Sequence, residues 1–299
     1  MSQLPHDPMW TRAGSVVQTG AAPADVAIIG VPAHRTSISP TNAHTTPAAV
    51  RDALWRYSTY AASADVDLRD LRISDLGDVD DCDSEAGEQR TTQLVAAALR
   101  ASKLTLVLGG DNSVTFAAAR GLRDHVGDWS RVGLITFDAH HDLRDGISNG
   151  SPVRRLVEAG LPGSQIVQIG ISDFANSREY AQRARDYGIT VIRRDELRSR
   201  SMAEVLEHAL QVIGDRSVFV DVDVDVCDRS VVPACPAAAP GGLSADELRQ
   251  LVRAAARSGR VRAFDFTEVD ASADAQDGRT VRLVALCMLE AIAGSSKTL

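Results

Sequence analysis

The chain alternates short apolar runs with longer stretches of helical period, and this alternation constrains its fold more than any other feature. Strands that alternate with helices join through right-handed crossovers into a parallel sheet covered on both faces. The pattern therefore predicts a three-layer α/β/α fold around a central, mostly parallel sheet of about eight strands. The predicted strands are 26–31, 104–108, 132–137, 166–171, 189–192, 218–222 and 261–266, and the predicted helices are 47–57, 89–101, 113–125, 177–187, 202–213, 245–258 and 280–293.

The predicted domain organisation is simple. Residues 1–24 are rich in Pro, Gly, Ser and Ala without any period, so we expect an N-terminal arm there. Residues 25–299 have no break in composition and no internal repeat, which predicts a single domain. The acidic segment 75–88 is expected to be a surface loop within it.

Composition excludes several classes of protein. The 32 Lys and Arg against 40 Asp and Glu give a net charge of −8, which argues against binding to a nucleic-acid backbone. No apolar run approaches the roughly 18 residues of a membrane span, and the N-terminus has no signal-peptide pattern. The four Cys lack a C-x-x-C pair and are expected to remain thiols in a cytoplasmic protein.

Polar clusters follow four of the predicted strands. The clusters are Gly-Gly-Asp-Asn-Ser at 109–113, Asp-Ala-His-His-Asp at 138–142, Asp-Val-Asp at 223–225 and Thr-Glu-Val-Asp at 267–270. The carboxyl ends of parallel strands meet at one edge of the sheet, where open α/β folds bind their ligands. We therefore expect these side chains to form one site.

Two of the clusters predict a metal site. In an extended segment alternate side chains share a face, so Asp138, His140 and Asp142 would converge, and so would Asp223 and Asp225. Four neighbouring carboxylates repel one another unless a cation neutralises them. Carboxylate and imidazole ligands without thiolate suit Mn²⁺ better than a closed structural Zn²⁺ site. This number of ligands fits two metals that share an activated hydroxide.

Each of these short motifs is weak when it is taken alone. Solvated acids and a capping His explain an isolated D-x-H-x-D equally well, and a lone D-x-D is weaker still. Their occurrence together at the ends of buried strands favours metal binding. Cys227 and Cys235 lie nearby but have no His partner at the spacing of a thiolate enzyme, so packing is their expected role.

These motifs resemble those of the ureohydrolase family, which contains the arginases and agmatinases. The resemblance includes GGDNS, DAHHD, DVDVCDR and PGGLS, with further support from IGVP at 29–32 and from Pro47 and Arg51. At three places the sequence departs from the arginase and agmatinase pattern and resembles the formimidoylglutamase branch of the family. Asn112 replaces a His metal ligand, NGSPV at 149–153 replaces HGTPF, and ACPA at 234–237 replaces GTGT. The stretch QIGISDFANS at 168–177 is also typical of that branch.

The resemblance implies an arginase-like catalytic domain over residues 25–299 that hydrolyses N-formimidoyl-L-glutamate to L-glutamate and formamide in histidine degradation. It further implies two Mn²⁺ per subunit and an oligomer of identical subunits. Asp138 and Asp223 would bridge both metals, Asp142 would complete one site, and His140 and Asp225 would bind the other.

The ligand at the family His position is doubtful in this chain. The amide oxygen of Asn112 is a poorer donor than an imidazole, so the metal beside it is predicted to be weakly held. His141 is the alternative ligand, but side-chain alternation points it away from the cluster, which favours a supporting role.

The resemblance also indicates residues for catalysis and for binding the substrate. Asp142 and Glu268 are the predicted catalytic residues. Glu268 matches the acid that faces the substrate guanidinium in arginases and would hold the formimidoyl cation. The alternative for Glu268 is a solvated acid at the end of a strand. Substrate carboxylates require a cation, and Arg144 is preferred. Arg35 and Arg154 are further candidates for that cation, and Asn149 and Ser151 are predicted to donate hydrogen bonds to the substrate.

Two other functions remain open. One is a different ureohydrolase, such as an agmatinase, guanidinobutyrase or arginase, which would release urea. The other is a metal-poor, non-catalytic binding protein. Retention of all four Asp residues and of His140 argues against the second, because an empty site gains nothing from carboxylates that repel one another.

Overall fold

Nine parallel strands form the central sheet of the computed structural model, which describes residues 7–20 and 23–296. The strand order is β1-β5-β2-β6-β11-β10-β7-β8-β9, and every neighbouring pair is parallel. A separate antiparallel hairpin joins β3 to β4. The predicted α/β fold with a mostly parallel sheet is confirmed.

The element bounds follow the predicted alternation closely. The strands are β1 Val17–Thr19, β2 Val26–Val31, β3 Tyr60–Ala61, β4 Val66–Asp67, β5 Ile73–Asp78, β6 Leu104–Gly109, β7 Val132–Phe137, β8 Ile166–Ile171, β9 Thr190–Arg193, β10 Ser217–Asp223 and β11 Val261–Thr267. The helices are α1 Thr46–Ala53, α2 Glu85–Ala101, α3 Val114–Val126, α4 Pro152–Glu158, α5 Arg178–Tyr187, α6 Met202–Ile213, α7 Ala245–Arg257 and α8 Arg279–Ser295.

Helices cover both faces of the sheet, so its central strands are apolar along their whole length. In β2, Ile28 packs into the core beneath α1, α6, α7 and α8, whereas Ile29 packs into the opposite core beneath α2, α3 and α4. Leu251 of α7 and Leu122 of α3 are fully buried on these two sides. The two cores account for the continuous apolar runs in the sequence.

Besides the short β3–β4 hairpin, two strands of the central sheet lie in segments for which no strand was predicted. Strand β5 occupies 73–78, so the expectation of a surface loop from residue 75 is wrong there. The acidic residues of β5 made this segment look like a loop in the sequence. In the structure they pair with Arg51, whose Nε lies 2.6 Å from Asp75 Oδ2 and whose Nη1 lies 2.5 Å from Asp78 Oδ1. Strand β1 lies within the predicted arm and pairs with β5 at the edge of the sheet. The rest of that arm is partly outside the described residues.

Two negative predictions can be compared with the structure. None of the helices in the described ranges is long and apolar enough to cross a membrane. The four cysteines are free and buried, and both Cys227 and Cys235 are fully inaccessible. Burial also raises the pKa of both thiols well above the ordinary value, which agrees with a packing role.

Candidate metal centre and active site

Four strands that lie side by side at the centre of the sheet carry the predicted site residues. These strands follow the order β6-β11-β10-β7, and their carboxyl ends form one edge. A pocket of about 310 Å³ opens there. Seven of the predicted residues line it: His140, Asp142, Arg144, Asn149, Asp223, Asp225 and Glu268.

Asp138, His140 and Asp225 form a candidate metal centre at this edge of the sheet, and the last two line the pocket. His140 Nδ1 lies 2.7 Å from Asp225 Oδ2 and 3.6 Å from Asp138 Oδ1, and one ligand atom from each residue lies within 4.8 Å of the others. Asp138 is fully buried, and its Oδ2 has no hydrogen-bond partner among the described residues. A divalent cation would satisfy that oxygen, so the donor set fits one.

The ligands converge through turns and not through strand alternation, so the geometric reason given for their convergence is wrong. Strand β7 ends at Phe137, before the first ligand. The backbone N–H of His140 donates to Asp138 Oδ1 at 2.6 Å, and Asp142 has a left-handed φ of 53°. On the neighbouring strand, the residues after Asp223 form a 3₁₀ turn. Tight turns bring the short side chains together.

The metal-free cluster holds protons. Burial, together with the charges of neighbouring carboxylates, raises the pKa values of Asp138 and Asp223 well above the ordinary value. Burial also raises the pKa of Asp142 to about 7. Burial alone would lower the pKa of His140, but the adjacent Asp225 carboxylate outweighs it and raises the value to about 10. A bound cation would compete with these protons.

Asn112 contacts Asp142 through its amide nitrogen. Its Nδ2 donates to Asp142 Oδ2 at 2.6 Å, while its Oδ1 accepts from Thr267 Oγ1 at 2.9 Å and lies 2.8 Å from Thr115 Oγ1. The amide oxygen, the only metal-binding atom of this side chain, is therefore directed at the two threonines. Asn112 supports Asp142 in this arrangement and does not line the pocket.

Glu268 is held rigidly over the pocket. Its φ of 65° lies in the left-handed region, which is rare for a residue other than glycine and is frequent at functional sites. Its Oε1 accepts from the backbone N–H of Asn112 at 2.7 Å and from Asn149 Nδ2 at 2.9 Å. Burial, with a further contribution from the Asp111 charge, raises the pKa of Glu268 to about 8.

Of the three candidate cations, only Arg144 lines the pocket. Its guanidinium makes no ion pair or side-chain hydrogen bond within the described ranges, which leaves it available to an anion. Arg35 instead lies 3.5 Å from Asp81. Arg154 donates through Nε to the carbonyl of Arg144 at 2.6 Å and so holds the loop that presents it.

Two polar residues near the pocket have internal roles. Ser151 is fully buried, and its Oγ donates to the Ser148 carbonyl at 2.8 Å, so the structure does not bring this predicted substrate donor into the pocket. His141 Nδ1 lies 2.7 Å from Gln168 Oε1 on β8, outside the metal cluster. The expected supporting role of His141 agrees with this position.

A buried polar row that was not predicted lies beneath the candidate metal centre. Asp221 and Asp265 are paired across β10 and β11, Thr136 lies opposite Asp221 on β7, and all three are completely buried. Asp221 precedes the ligand Asp223 by two residues, and Asp265 precedes Thr267 by two. The alternation of side chains along these strands was therefore the signal that could have identified the row.

A carboxylate–imidazole cluster at the carboxyl edge of a parallel sheet fits the class of metal-dependent hydrolases. Comparisons with known proteins specify the class. The arginase family model matches residues 24–294. A formimidoylglutamase of Halalkalibacterium halodurans is 36% identical to this chain over 281 residues. The match covers 89% of this chain and 86% of the length of that relative.

Two solved structures share the fold. The Bacillus subtilis formimidoylglutamase superposes with a TM-score of 0.91 at 32% identity, covering 98% of this chain and 94% of its own. The Trypanosoma cruzi formiminoglutamase with Mn²⁺ has a TM-score of 0.88 at 25% identity, covering 95% of this chain and 98% of its own. The chain belongs to the arginase family, and it is a hydrolase of C–N bonds in linear amidines.

Proposed function

We propose that this protein hydrolyses N-formimidoyl-L-glutamate to L-glutamate and formamide. The observation that carries the proposal is that His140 and Asp225 of the metal-binding cluster line one pocket together with Arg144. The cluster suits attack on an amidine carbon, and the guanidinium suits the carboxylates of the glutamyl half. The similarity to the formimidoylglutamases of H. halodurans and B. subtilis supports the same substrate.

We further propose Mn²⁺ as the cofactor, with two ions per subunit. Asp138, His140 and Asp225 would hold one ion, and Asp142 would hold the other, with Asp223 and Asp138 as the carboxylates that would lie between them. When bound, the metal pair lowers the pKa of a shared water molecule and so supplies a hydroxide nucleophile at neutral pH. The orphaned Asp138 Oδ2 and the manganese in the T. cruzi structure support this assignment.

Glu268 would orient the reacting group. Both of its hydrogen-bond donors use Oε1, which leaves Oε2 to accept an N–H from the formimidoyl cation in a charge-assisted hydrogen bond. Asn149 fixes this orientation, because its Oδ1 in turn accepts from the backbone N–H of Ile38 at 3.0 Å. The amidine carbon is then held over the metal cluster.

Arg144 would select acidic substrates. Agmatine carries a cationic amine and no carboxylate, so this guanidinium disfavours it, whereas formimidoylglutamate offers two carboxylates. Arginine and guanidinobutyrate also carry a carboxylate, and this makes arginase and guanidinobutyrase activities the closest competing functions. Comparison of kcat/KM for formimidoylglutamate, arginine, agmatine and guanidinobutyrate with Mn²⁺-loaded protein tests the proposal. A higher value for any of the guanidines than for formimidoylglutamate would overturn it.

We place this enzyme in the cytoplasm as a homo-oligomer. The four buried free thiols support a reducing compartment. Size-exclusion chromatography with light scattering tests the assembly, and a monomer at working concentration would contradict it.

A further inference from the structure

We propose that Thr267 is a positioning residue that orients the Asn112 carboxamide and, through it, the metal-site carboxylate of Asp142. The inference rests on the proposed manganese-dependent function and concerns how the weaker metal position is built. Its basis is one chain of contacts from β11 to the pocket, whose members are all buried.

The two ends of a carboxamide have nearly the same shape, so its orientation is set by the partners at each end. Thr267 Oγ1 donates to Asn112 Oδ1 at 2.9 Å, and this is its single hydrogen bond within the described ranges. Thr115 Oγ1 also approaches Oδ1, but its one proton is shared with Asp265 Oδ2, which lies 2.8 Å away. Thr267 is thus the undivided donor that fixes the oxygen end.

With the oxygen end fixed, Asn112 Nδ2 faces Asp142 Oδ2 at 2.6 Å. This hydrogen bond occupies Asp142 Oδ2 and leaves Asp142 Oδ1 free to bind a cation. The reversed carboxamide would place an oxygen against the carboxylate, which is repulsive. The Thr267 hydroxyl and the Asp142 carboxylate therefore favour the same carboxamide orientation, in which Asp142 Oδ1 is the atom offered to metal.

The two branches of the Thr267 side chain have separate roles, which permits a matched test. Its Cγ2 methyl packs against β6 so closely that a Cβ on Gly109 would lie 2.7 Å from it. Thr267→Val keeps this packing and removes the hydroxyl. Thr267→Ser keeps the hydroxyl and removes the methyl group. The variants Thr267→Ser and Thr267→Ala both lack the methyl group and differ from each other only in the hydroxyl.

The experiment is a Mn²⁺ titration of the metal-free full-length chain, followed by electron paramagnetic resonance of free Mn²⁺. Loss of a residue that supports a metal ligand weakens metal affinity by about 10- to 100-fold. We expect Thr267→Val to weaken the weaker site by at least about 10-fold and Thr267→Ser to stay within about 3-fold of the unmodified protein. Thr105→Val, at a buried threonine on β6 outside the site, is the control for the substitution itself and should leave binding unchanged.

A double-mutant cycle tests whether Thr267 acts through Asn112. In an Asn112→Ala background, Thr267→Val should produce no further loss of Mn²⁺ affinity. Unchanged binding in Thr267→Val, equal losses in the Val and Ser variants, or additive losses in the cycle would overturn the proposal. If Thr267→Val does not fold, the Ser and Ala pair supplies the same comparison. Because no substrate is present, these results are independent of whether formimidoylglutamate is the substrate.

Discussion

The imidazole Nδ1 of His140 lies 2.7 Å from Oδ2 of Asp225. In the metal-free protein this contact holds a proton, because the Asp225 carboxylate raises the pKa of His140 to about 10 despite burial. A cation that binds between the two groups must displace that proton. The pair therefore links cation binding at the candidate metal centre to pH.

Replacement of one member of this pair should abolish metal binding at the cluster. Asp225→Asn keeps the shape but removes the charge that faces His140, so we expect loss of bound Mn²⁺ and a fall in kcat of at least about 100-fold. Asp215→Asn, on an exposed residue, is the matched control. Full activity in Asp225→Asn would show that the cluster has been misassigned.

The metal beside Asn112 should be held weakly. Its amide oxygen is directed at Thr115 and Thr267, so this residue replaces an imidazole ligand without supplying one. We expect fewer than two Mn²⁺ per chain after dialysis, measured by elemental analysis, and an increase in Asn112→His. Two ions retained per chain by the unmodified protein would contradict this expectation.

Arg144→Ala should raise KM for formimidoylglutamate by about 10- to 100-fold, because a hydrogen bond to a charged group contributes roughly 1.5–3 kcal/mol. The effect on kcat should be smaller, since Arg144 contacts the substrate away from the reacting carbon. Steady-state kinetics measure both constants. Arg198→Ala, on an exposed arginine, is the control, and an unchanged KM in Arg144→Ala would eliminate the carboxylate role.

Gly150 supports the same arginine. A Cβ at this position would lie 2.8 Å from Arg144 Cδ and 3.2 Å from Nε, so Gly150→Ala must displace the guanidinium. We expect KM to rise in the same direction as in Arg144→Ala but by less. In the double variant the two effects should not add, because both act on one contact; additive increases in KM would contradict this account.

The metal-free protein should lose stability as the pH rises. Burial raises the pKa of Asp142 from 3.8 to about 7 and that of Glu268 from 4.5 to about 8. The folded state therefore binds more protons than the unfolded chain between about pH 4 and pH 8, and the free energy of unfolding falls across that interval.

Thermal unfolding of the chelator-treated protein measures this effect. We expect Tm at about pH 8 to be lower than at about pH 6 by at least about 4 °C. Added Mn²⁺ should raise Tm more at the higher pH, where fewer protons compete for the ligands. A Tm that rises with pH in the absence of metal would contradict the assigned sign.

The fold was predictable because the central strands are buried on both faces and carry continuous apolar runs. Strand β5 was not, because near the edge of the sheet its Asp75 and Asp78 are neutralised by Arg51, a residue distant in sequence. Short-range patterns contain no signal for such a pairing. The sheet therefore has nine strands where about eight were predicted, and the unpredicted strands β1 and β5 lie together at one edge, where polar residues are tolerated.

The acidic and imidazole residues of the candidate metal centre could be found from the sequence, but their geometry could not. Asp142 and Glu268 adopt left-handed backbone conformations; Asp tolerates this region better than Glu, but most residues of either type do not adopt it, so the local sequence does not predict it. The orientation of Asn112 depends on Thr267, which is 155 residues away in sequence. Ser151 shows the opposite error, since a polar residue in a promising motif proved to cap its own turn.

Product analysis with Mn²⁺-loaded protein and N-formimidoyl-L-glutamate tests the central claim most directly. Proton NMR should detect formamide and L-glutamate in equal amounts, and both should be absent with Asp225→Asn. Release of ammonia with N-formyl-L-glutamate would mean that the other C–N bond is cleaved. That outcome, or no turnover of this substrate while a guanidine yields urea, would contradict the account.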